Sequence, residues 1–420
     1  MIHASYYKPK LIPYNGNAGA VNIDRAQSID PTATLNRDKV EEIGRVGVVG
    51  YLKKTPSLAY ALTQLEYGNL EFFQKIVNTT ILGEVGQAGI TLNSFKTPQF
   101  DIMAFLTDDS GAFKGTLFYP NLRTNGFTLT IGAPDGTIER SFDLVGENAI
   151  TWQGNNKYVV QLIDSSSAGA SHTTIIGAGS WLDYPDPVVD PTTPSLTNAD
   201  YFIRVLRVRA GVTTELVYTT DYTYNPGTTT LTFPGSAASD VYKIYYTATT
   251  YVTGVDPFVL NDTDASALLA DSASIYMYIP GTGSPSASDY VYRLQSVTLD
   301  VAFEREDLSE IGNKDVVQTS SKSETVTVSL TSLPEGFTIE EILRGTSAYP
   351  YIDAREFSDE VTLIVKIYTD NTHTVELIGY KITDLSLTVL GANSTIQANN
   401  TASHTLESDN FFVTPDFSEL

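Results

Sequence analysis

The chain has 420 residues, of which 42% are hydrophobic and 11% aromatic, and these values are typical of a folded chain rather than a disordered one. It carries 26 Lys and Arg against 49 Asp and Glu, a formal net charge of -23, which disfavours a nucleic-acid-binding protein because such proteins need cations to neutralise phosphates. It has no cysteine, which excludes disulfides, thiolate metal sites and cysteine nucleophiles.

Residues 1–20 are rich in Tyr, Pro, Gly and Asn and show no hydrophobic periodicity. They predict an extended N-terminal arm that packs on another surface. No apolar run here has the length that a signal peptide needs, and 18 consecutive apolar residues occur nowhere in the chain. We therefore expect a soluble protein made without a classical export signal.

An internal repeat begins directly after the arm. The stretch AQSIDPTATLNRDKVEEIGR (26–45) recurs 268 residues later as LQSVTLDVAFEREDLSEIGN (294–313), and the ungapped match extends over 26–68 and 294–336 with 13 identities in 43 positions. A second match, FTLTIGAPDGTI (127–138) with LSLTVLGANSTI (385–396), follows in the same order. The common order predicts that a whole domain is duplicated.

In the first copy, residues 44–54 are predicted to be a long connecting loop. The segment GNLEFFQKIVN (68–78) then predicts a short amphipathic helix, because its apolar residues fall on one face. Alternating apolar and polar residues predict strands in QFDIMAFL (99–106), FTLTIGA (127–133) and TIERSFDLV (137–145).

Residues 151–289 have no counterpart in the other half. The Pro-rich and Thr-rich stretch 185–200 predicts a linker. Beyond it, the sequence predicts strands in 201–211 and 240–249 and a hairpin that turns at Asn225-Pro226-Gly227. This region is predicted to be a small inserted β (Ig-like) domain.

In the second copy, SVTLDVAF (296–303) and KSETVTVSLTSL (322–333) alternate as half-buried strands do. The polar stretch EDLSEIGNKDVVQTSS (306–321) between them is predicted to be a loop. PEGFTIEEILRG (334–345) predicts a short helix with a capping box at Thr338 and Glu341 and a stop at Gly345. Further strands are expected in 361–369, 374–383 and 385–392.

The predicted fold class is mainly β: two tandem β-sandwich or barrel domains, each with one short helix, plus the inserted domain. The predicted boundaries are 1–20 for the arm, 21–150 for the first domain, 151–289 for the linker and insert, and 290–420 for the second domain.

No catalytic, cofactor or metal site emerges from the sequence. The four histidines are scattered, GRVGVVG (44–50) lacks the spacing of a nucleotide-binding loop, and NDTDASALLAD (261–271) lacks the Gly and final Glu of an EF-hand loop. Adjacent acids such as Asp108 and Asp109 are expected by chance among 49 acidic residues. The protein is therefore predicted not to be an enzyme and to need no cofactor.

The repeated motif resembles the tail tube proteins of tailed bacteriophages, in which a strand ends in a charged step and a Glu-Ile-Gly element opens a long loop. The residues that carry the resemblance, which covers about 250 residues in the two halves, are Gln27, Arg37, Glu42, Ile43 and Gly44, matched by Gln295, Arg305, Glu310, Ile311 and Gly312, with Asp38 and Glu306 completing the charged step.

The resemblance implies tandem tube-like β domains and a virion structural protein made in the host cytoplasm. Family members form six-fold rings whose sheets join, and the rings stack into the conduit for DNA. A chain with two copies would close such a ring as a homotrimer with pseudo-six-fold symmetry inside. An acidic lumen would let DNA pass without specific binding.

The implied partners are further copies of this chain and other tail proteins: tape measure, terminator, baseplate or tip, and possibly a sheath. No membrane partner is implied. The loops 44–54 and 312–322 are expected to reach the next ring through Gly44, Val48, Val49, Lys54, Gly312, Val316, Val317 and Lys322.

Three alternatives remain open. A β-rich surface adhesin or surface-layer protein would also suit Thr-rich strands and a small inserted domain. An enzyme acting on a glycan through paired carboxylates is supported only by the abundance of acids. Within the phage family, terminators and baseplate hubs share the tube fold.

Overall fold

The structure is a computed structural model, and it describes a defined part of the chain. The described residues are 7–14, 21–23, 25–35, 37–41, 43, 46–53, 57–65, 76, 90–91, 95, 99–110, 113–132, 136–146, 149–153, 157–164, 172–175, 202–225, 230–248, 270, 273–279, 290–308, 318–333, 338–344, 360–367, 374–384, 402–408 and 412–414.

The described elements confirm a mainly β protein with antiparallel pairing and one short helix. The strands are β1 Tyr7–Pro13, β2 Val21–Asn22, β3 Ala26–Thr34, β4 Arg37–Glu41, β5 Val48–Lys53, β6 Ser57–Leu65, β7 Ile90–Thr91, β8 Phe100–Thr107, β9 Phe113–Gly132, β10 Ile138–Gly146, β11 Ile150–Gln153, β12 Lys157–Asp164, β13 His172–Ile175, β14 Phe202–Arg209, β15 Val212–Glu215, β16 Thr223–Asn225, β17 Thr230–Phe233, β18 Val241–Ala248, β19 Ala273–Tyr278, β20 Leu294–Leu308, β21 Gln318–Ser332, β22 Glu360–Ile367, β23 Thr374–Asp384, β24 Ala402–Ser408 and β25 Phe412–Thr414. The helix α1 is Thr338–Arg344.

The chain divides into two compact units. Unit 1 comprises Met1–Ile23, Pro98–Leu122 and Glu147–Thr263, and unit 2 comprises Asp24–Thr97, Arg123–Gly146 and Asp264–Leu420. The division falls within β9, whose first half pairs in unit 1 and whose second half pairs in unit 2. The domain boundaries predicted from the sequence stay a prediction.

Unit 2 contains one antiparallel sheet with the strand order β19-β22-β23-β24-β21-β20-β9-β10-β6-β3. Its central strands bury every second side chain and leave the intervening ones exposed or half-buried. This is the two-residue period of a sheet with one wet face. The buried set comprises Leu58, Tyr60, Leu62, Phe127, Leu129, Ile131, Ile138, Phe142, Leu144, Val297, Leu299, Val301, Phe303, Val326, Val328 and Leu330. Burial of each Val, Leu, Ile or Phe side chain in this set contributes about 1.5–3 kcal/mol.

The strand pairing of residues 7–153, the first segment, recurs in residues 273–414, the second segment. The hairpin β3–β6 has the same register as β20–β21, and each first strand carries a bulge at the same position. The equivalent pairs are Ser28 with Thr63 and Ser296 with Thr331, and the bulge residues are Gln27 and Gln295.

The outer strands repeat as well. The pair β8–β9 skips one residue at Asp101, and the pair β22–β23 skips one at the equivalent Thr362. The pair β1–β8 in unit 1 corresponds to β19–β22 in unit 2. Each strand at the start of a segment is joined to the residues just ahead of the following hairpin, through Ile23 N–H to Pro9 O and Val291 N–H to Ile275 O.

Unit 1 combines strands of the first segment with the inserted strands. Strand β1, which lies within the predicted arm, pairs with β2 and β8. The insert forms a four-stranded sheet in the order β12-β18-β14-β15 and a three-stranded sheet in the order β13-β17-β16. The antiparallel pair β16–β17 confirms that the two predicted strands pair, whereas Pro226 and Gly227 of the predicted turn lie outside the described residues.

Two expectations from the sequence are wrong. Glu306–Leu308 and Gln318–Ser321, predicted as loop, extend β20 and β21, and Val48–Lys53 forms β5 paired with β4. The polar, Gly-containing sequence of 306–321 favoured a loop, and the match between the copies carried the same expectation to 44–54. Cross-strand hydrogen bonds nevertheless pair these strands, although most of their described side chains are exposed. Strands β12, β13 and β24 and the first half of β9 were not predicted from the sequence.

The helix predictions have different outcomes. In the second segment α1 is confirmed, with Ile339 and Leu343 buried, whereas Gly345 lies outside the described residues. Of the helix predicted at 68–78, only Ile76 is described, and it is helical and buried.

Candidate assembly surfaces

The hairpin formed by β4 and β5 is the most apolar exposed element in the described part of the chain. The two strands pair only with each other among the described strands. Its exposed apolar side chains are Val40, Ile43, Val46, Val48, Val49, Tyr51 and Leu52. Ile43 and Val46 are fully open to solvent, at 105% and 106%.

An isolated pair of strands is only marginally stable in water, so the stability of the hairpin itself does not account for its presence. A concentration of exposed apolar side chains marks an interaction surface in soluble proteins. Gly47, between β4 and β5, has a φ of 111°. This backbone conformation is strained in residues with a side chain, so glycine suits the turn of the hairpin.

The second segment carries an equivalent but more polar hairpin. Arg37 lies opposite Lys53 in the first, and Arg305 lies opposite Ser321 in the second. At the positions equivalent to Val46, Tyr51 and Leu52 the sequence has Lys314, Thr319 and Ser320. The two hairpins therefore offer different chemistry.

The strand β3 is a free edge of the unit 2 sheet in the described residues, since it pairs only with β6. The equivalent strand β20 has a second neighbour, because its residues Ser296–Ala302 pair with Gly126–Gly132 of β9. The exposure of two equivalent side chains differs accordingly. Phe303 is 2% exposed, whereas Leu35 at the equivalent position is 66% exposed.

The arginine of the charged step also differs between the two segments. Arg305 donates from Nε to the carbonyl oxygen of Thr124 at 2.6 Å and from Nη2 to the carbonyl oxygen of Phe95 at 2.8 Å. The Phe95 ring packs on Phe303 with centroids 5.8 Å apart. Arg37, at the equivalent position in the first segment, is exposed.

The exposed face of the unit 2 sheet has only acidic charges among the strand residues whose side chains are described in β3, β6, β10, β20, β21, β24 and Gly126–Gly132. Its carboxylates are Asp30, Glu139, Asp143, Asp300, Glu304 and Glu407, and the remaining positions are mostly Ser, Thr and Ala. Hydroxyls tie neighbouring strands: Thr63 bonds Ser141 at 3.1 Å, and Thr128 donates to Asp300 at 2.8 Å.

The insert is anchored on the first segment by buried polar contacts within unit 1. Lys243, fully buried, donates from Nζ to the carbonyl oxygens of Pro13 and Tyr14. Tyr245 donates to Asp101 Oδ2 at 2.6 Å, and Asp101 Oδ1 accepts the main-chain N–H of Asn121 at 2.8 Å. These bonds fix the inserted sheet on the arm and on β8.

Apolar packing accompanies those bonds. Ile12, Met103, Phe105 and Phe118 of the first segment cluster with Leu206 and Tyr245 of the insert. At the second-segment positions equivalent to Phe105 and Phe118 the sequence has Lys366 and Glu376. The charged equivalents suit a surface without an insert, which matches an insert that occurs once.

Within the insert, Asp240 is held by a dense set of donors. Arg209 donates from Nε at 2.7 Å and from Nη2 at 2.6 Å, and the Ala237 N–H and Tyr242 hydroxyl donate at 2.8 and 3.2 Å. The hydrogen bonds from Arg209 are the main reason that the pKa of Asp240 falls to about 2, with the Ala237 N–H adding to the effect. The cluster fixes the turn before β18.

The predicted site residues fall in three places. Val48 and Val49 lie exposed on β5, Lys322 lies in β21, and Gln27 and Gln295 are the bulge residues. The structure brings Arg305, but not Arg37, into contact with main-chain carbonyls. Predicted site residues outside the described part of the chain are Glu42, Gly44, Lys54, Glu310, Gly312, Val316 and Val317.

Leu35, Phe95 and Phe303 were missed by the sequence reasoning. One indication of their role is present in the sequence: both copies of the repeat have an apolar residue at the same position, Leu35 in the first and Phe303 in the second. Phe95 had no signal, because it belongs to no periodic segment.

The candidate chemical groups have ordinary surroundings. Asp108 accepts hydrogen bonds from Ser110 and forms a salt bridge with Lys114 at 2.8 Å. These are the local contacts of a surface turn. Within the described residues no cluster of three or more His, Cys, Asp or Glu could hold a metal ion. In that same part of the chain, no helix is long and apolar enough to cross a membrane.

A scan against protein-family models finds no match, and a search of curated proteins finds none.

Proposed function

We propose that this chain is a virion structural protein that assembles into stacked rings and forms the tail tube of a bacteriophage, the conduit for DNA during ejection. The observation that carries the proposal is the recurring sheet. Strand β20 of the second segment pairs with strand β9 of the first segment, in one continuous sheet of unit 2.

The recurrence supports a trimeric ring made of two tandem tube-like domains per chain. A strand of the second segment already pairs with a strand of the first, as neighbouring subunits of a six-membered ring would. Three such chains supply six equivalent sheets, and cyclic closure satisfies every edge.

The acidic face of the sheet supports its assignment as the lumen. Phosphates of passing DNA would meet carboxylates and hydroxyls, and no Lys or Arg is among the side chains that the structure describes on this face. Because cations hold nucleic acid by releasing its counterions, their absence leaves DNA free to move.

The apolar β4–β5 hairpin supports stacking of rings. Its exposed side chains need a cover, and a neighbouring ring supplies the same cover for every chain. The polar equivalent in the second segment would contact different residues of that ring, so successive contacts alternate around the tube.

The insert, proposed to be an Ig-like module on the outside of the tube, would appear three times per ring. Its anchoring by Lys243 and Tyr245 holds it in place. Other tail proteins, among them the tape measure, terminator and baseplate or tip, and possibly a sheath, are the expected partners in the virion. No enzymatic activity is proposed.

Electron microscopy of the purified protein tests the proposal. The expected result is tubes of stacked rings for the natural protein, and separate rings for a variant with Val48→Asp and Leu52→Asp in the hairpin. An exposed control, Val212→Asp in the insert, should still give tubes. Monomers of the natural protein under all salt conditions and concentrations would contradict it.

A further inference from the structure

We infer that the free edge of β3 in one chain is completed by strand β23 of a second copy of this chain, with Arg37 clamping the main chain of that copy. The inference rests on the proposed ring and names the residues that would close it.

The internal contact between the segments is the template. In unit 2, Val297, Leu299 and Val301 of β20 are buried, and β9 lies beside them. The equivalent residues of β3 are Ile29, Pro31 and Ala33, of which the last two are exposed. The same strand position is therefore buried where a neighbour is present in the chain and open where it is not.

The template also fixes the partner strand. Residues 126–132 of β9 cover β20, and the second-segment strand equivalent to β9 is β23. Arg123 lies opposite Val145 and Lys381 lies opposite Glu407, at matching places in their sheets. Adding 258 to a residue number in β9 therefore gives the equivalent residue in β23. The same difference holds on both sides of the bulge in each pair of strands.

This shift predicts a register between chains. Ala302 lies opposite Gly126 within one chain. The equivalent pair between chains is Thr34 opposite Asp384, and both are described strand residues. Pro31, which has no N–H, lies on this edge, where a strand tolerates proline.

The clamp follows from the same shift. Arg305 donates to the carbonyl oxygen of Thr124. The residue equivalent to Thr124 is Ile382 in β23, so Arg37 is placed to donate to the Ile382 carbonyl oxygen of a neighbouring copy. Charge-assisted bonds of this kind are stronger than neutral ones.

Leu35 adds an apolar contact. Phe303, its equivalent, is buried against Phe95 within the chain. Leu35 is 66% exposed within one chain, so a second copy at this edge would bury apolar surface that the chain itself leaves in water. Apolar burial and the Arg37 bonds would act together at one edge.

Cysteine cross-linking tests the register, because the natural chain contains no cysteine. Chains with Thr34→Cys are mixed with chains with Asp384→Cys and oxidised. Residues opposite each other in antiparallel strands lie within the Cα separation that a disulfide needs. We expect covalent dimers in the mixture and at most background levels in either single variant.

The clamp is tested on ring stability. Arg37→Gln should weaken trimer formation at least tenfold, with Arg37→Lys intermediate, and leave the unfolding temperature of the dissociated chain unchanged. Arg305→Gln is the matched control, and it should lower that unfolding temperature because its contact lies within one chain.

The outcomes separate the inference from the function. Trimers without cross-links in the mixture, or with unchanged stability in Arg37→Gln, would overturn the β3–β23 edge and leave the ring proposal standing. A further variant carries both Thr34→Cys and Asp384→Cys in one chain. A disulfide within that single chain, together with no covalent dimers from the mixture, would also overturn the β3–β23 edge and leave the ring proposal standing. A natural protein that stays monomeric would overturn both.

Discussion

Arg25 and Arg293, 268 residues apart, share an unusual backbone geometry. Both have positive φ angles, 54° and 62°, and the carbonyl oxygen of each accepts the N–H of a leucine, Leu65 at 3.1 Å and Leu333 at 3.0 Å. The left-handed region is costly for residues with a side chain. Its recurrence ahead of equivalent bulges supports a common origin of the two hairpins.

This geometry predicts a reversed effect of glycine at both positions. Arg25→Gly should be more stable than Arg25→Ala by about 1 kcal/mol, and Arg293→Gly should exceed Arg293→Ala by a similar amount, because only glycine adopts positive φ without strain. Urea unfolding measures the difference. The matched control is Ala302→Gly in the middle of β20, which should lose stability, and the same loss at Arg25 and Arg293 would refute the shared geometry.

The Asp240 cluster predicts a pH dependence for the insert. A carboxyl whose pKa falls to about 2 on folding contributes stability above its usual pKa of 3.8, and this stability is lost as the pH falls through about 2. Asp240→Asn should therefore unfold more easily at pH 7, by about 2 kcal/mol for the charged hydrogen bonds removed. The deficit should shrink between pH 5 and pH 2.

Thermal unfolding followed by tyrosine fluorescence across this pH range measures that deficit. The exposed Asp109→Asn serves as control and should match the natural protein at every pH. A constant deficit from pH 7 to pH 2 would show that the carboxylate charge is not what stabilises the turn.

The acidic sheet face predicts how charge controls DNA passage. Replacing Asp143 and Asp300 with lysine should make assembled protein retain DNA at low salt, with retention lost as salt rises, because cations capture phosphates. Filter binding of duplex DNA measures retention. The control is Glu215→Lys in the insert, which adds positive charge to an exposed position of a different sheet. Equal retention by the control would contradict the lumen assignment.

Much of the fold could be predicted from local pattern. Val326, Val328 and Leu330 alternate with Thr and Ser, and they are buried at every second position of β21 as expected. The helix α1 follows from apolar spacing around Ile339. Patterns with a fixed period report which face of an element is buried, so they fix element type well.

The candidate surfaces were harder to predict, because they depend on partners distant in sequence. Arg37 and Arg305 are the same residue in the same motif, yet only Arg305 finds the carbonyl of Thr124. The polar anchors Lys243 and Asp101 lie in strands whose pattern gave no sign of burial. Pairing between distant strands is set by tertiary context rather than by local propensity.

The number of chains in one ring tests the central claim most directly. Native mass spectrometry of rings released by the hairpin variant Val48→Asp with Leu52→Asp would count the 45.7 kDa chains. The duplicated sheet predicts three chains in each ring, and electron micrographs of the same rings should then show three-fold outer symmetry. Six chains per ring, or rings without three-fold symmetry, would contradict the claim that two segments of one chain replace two subunits.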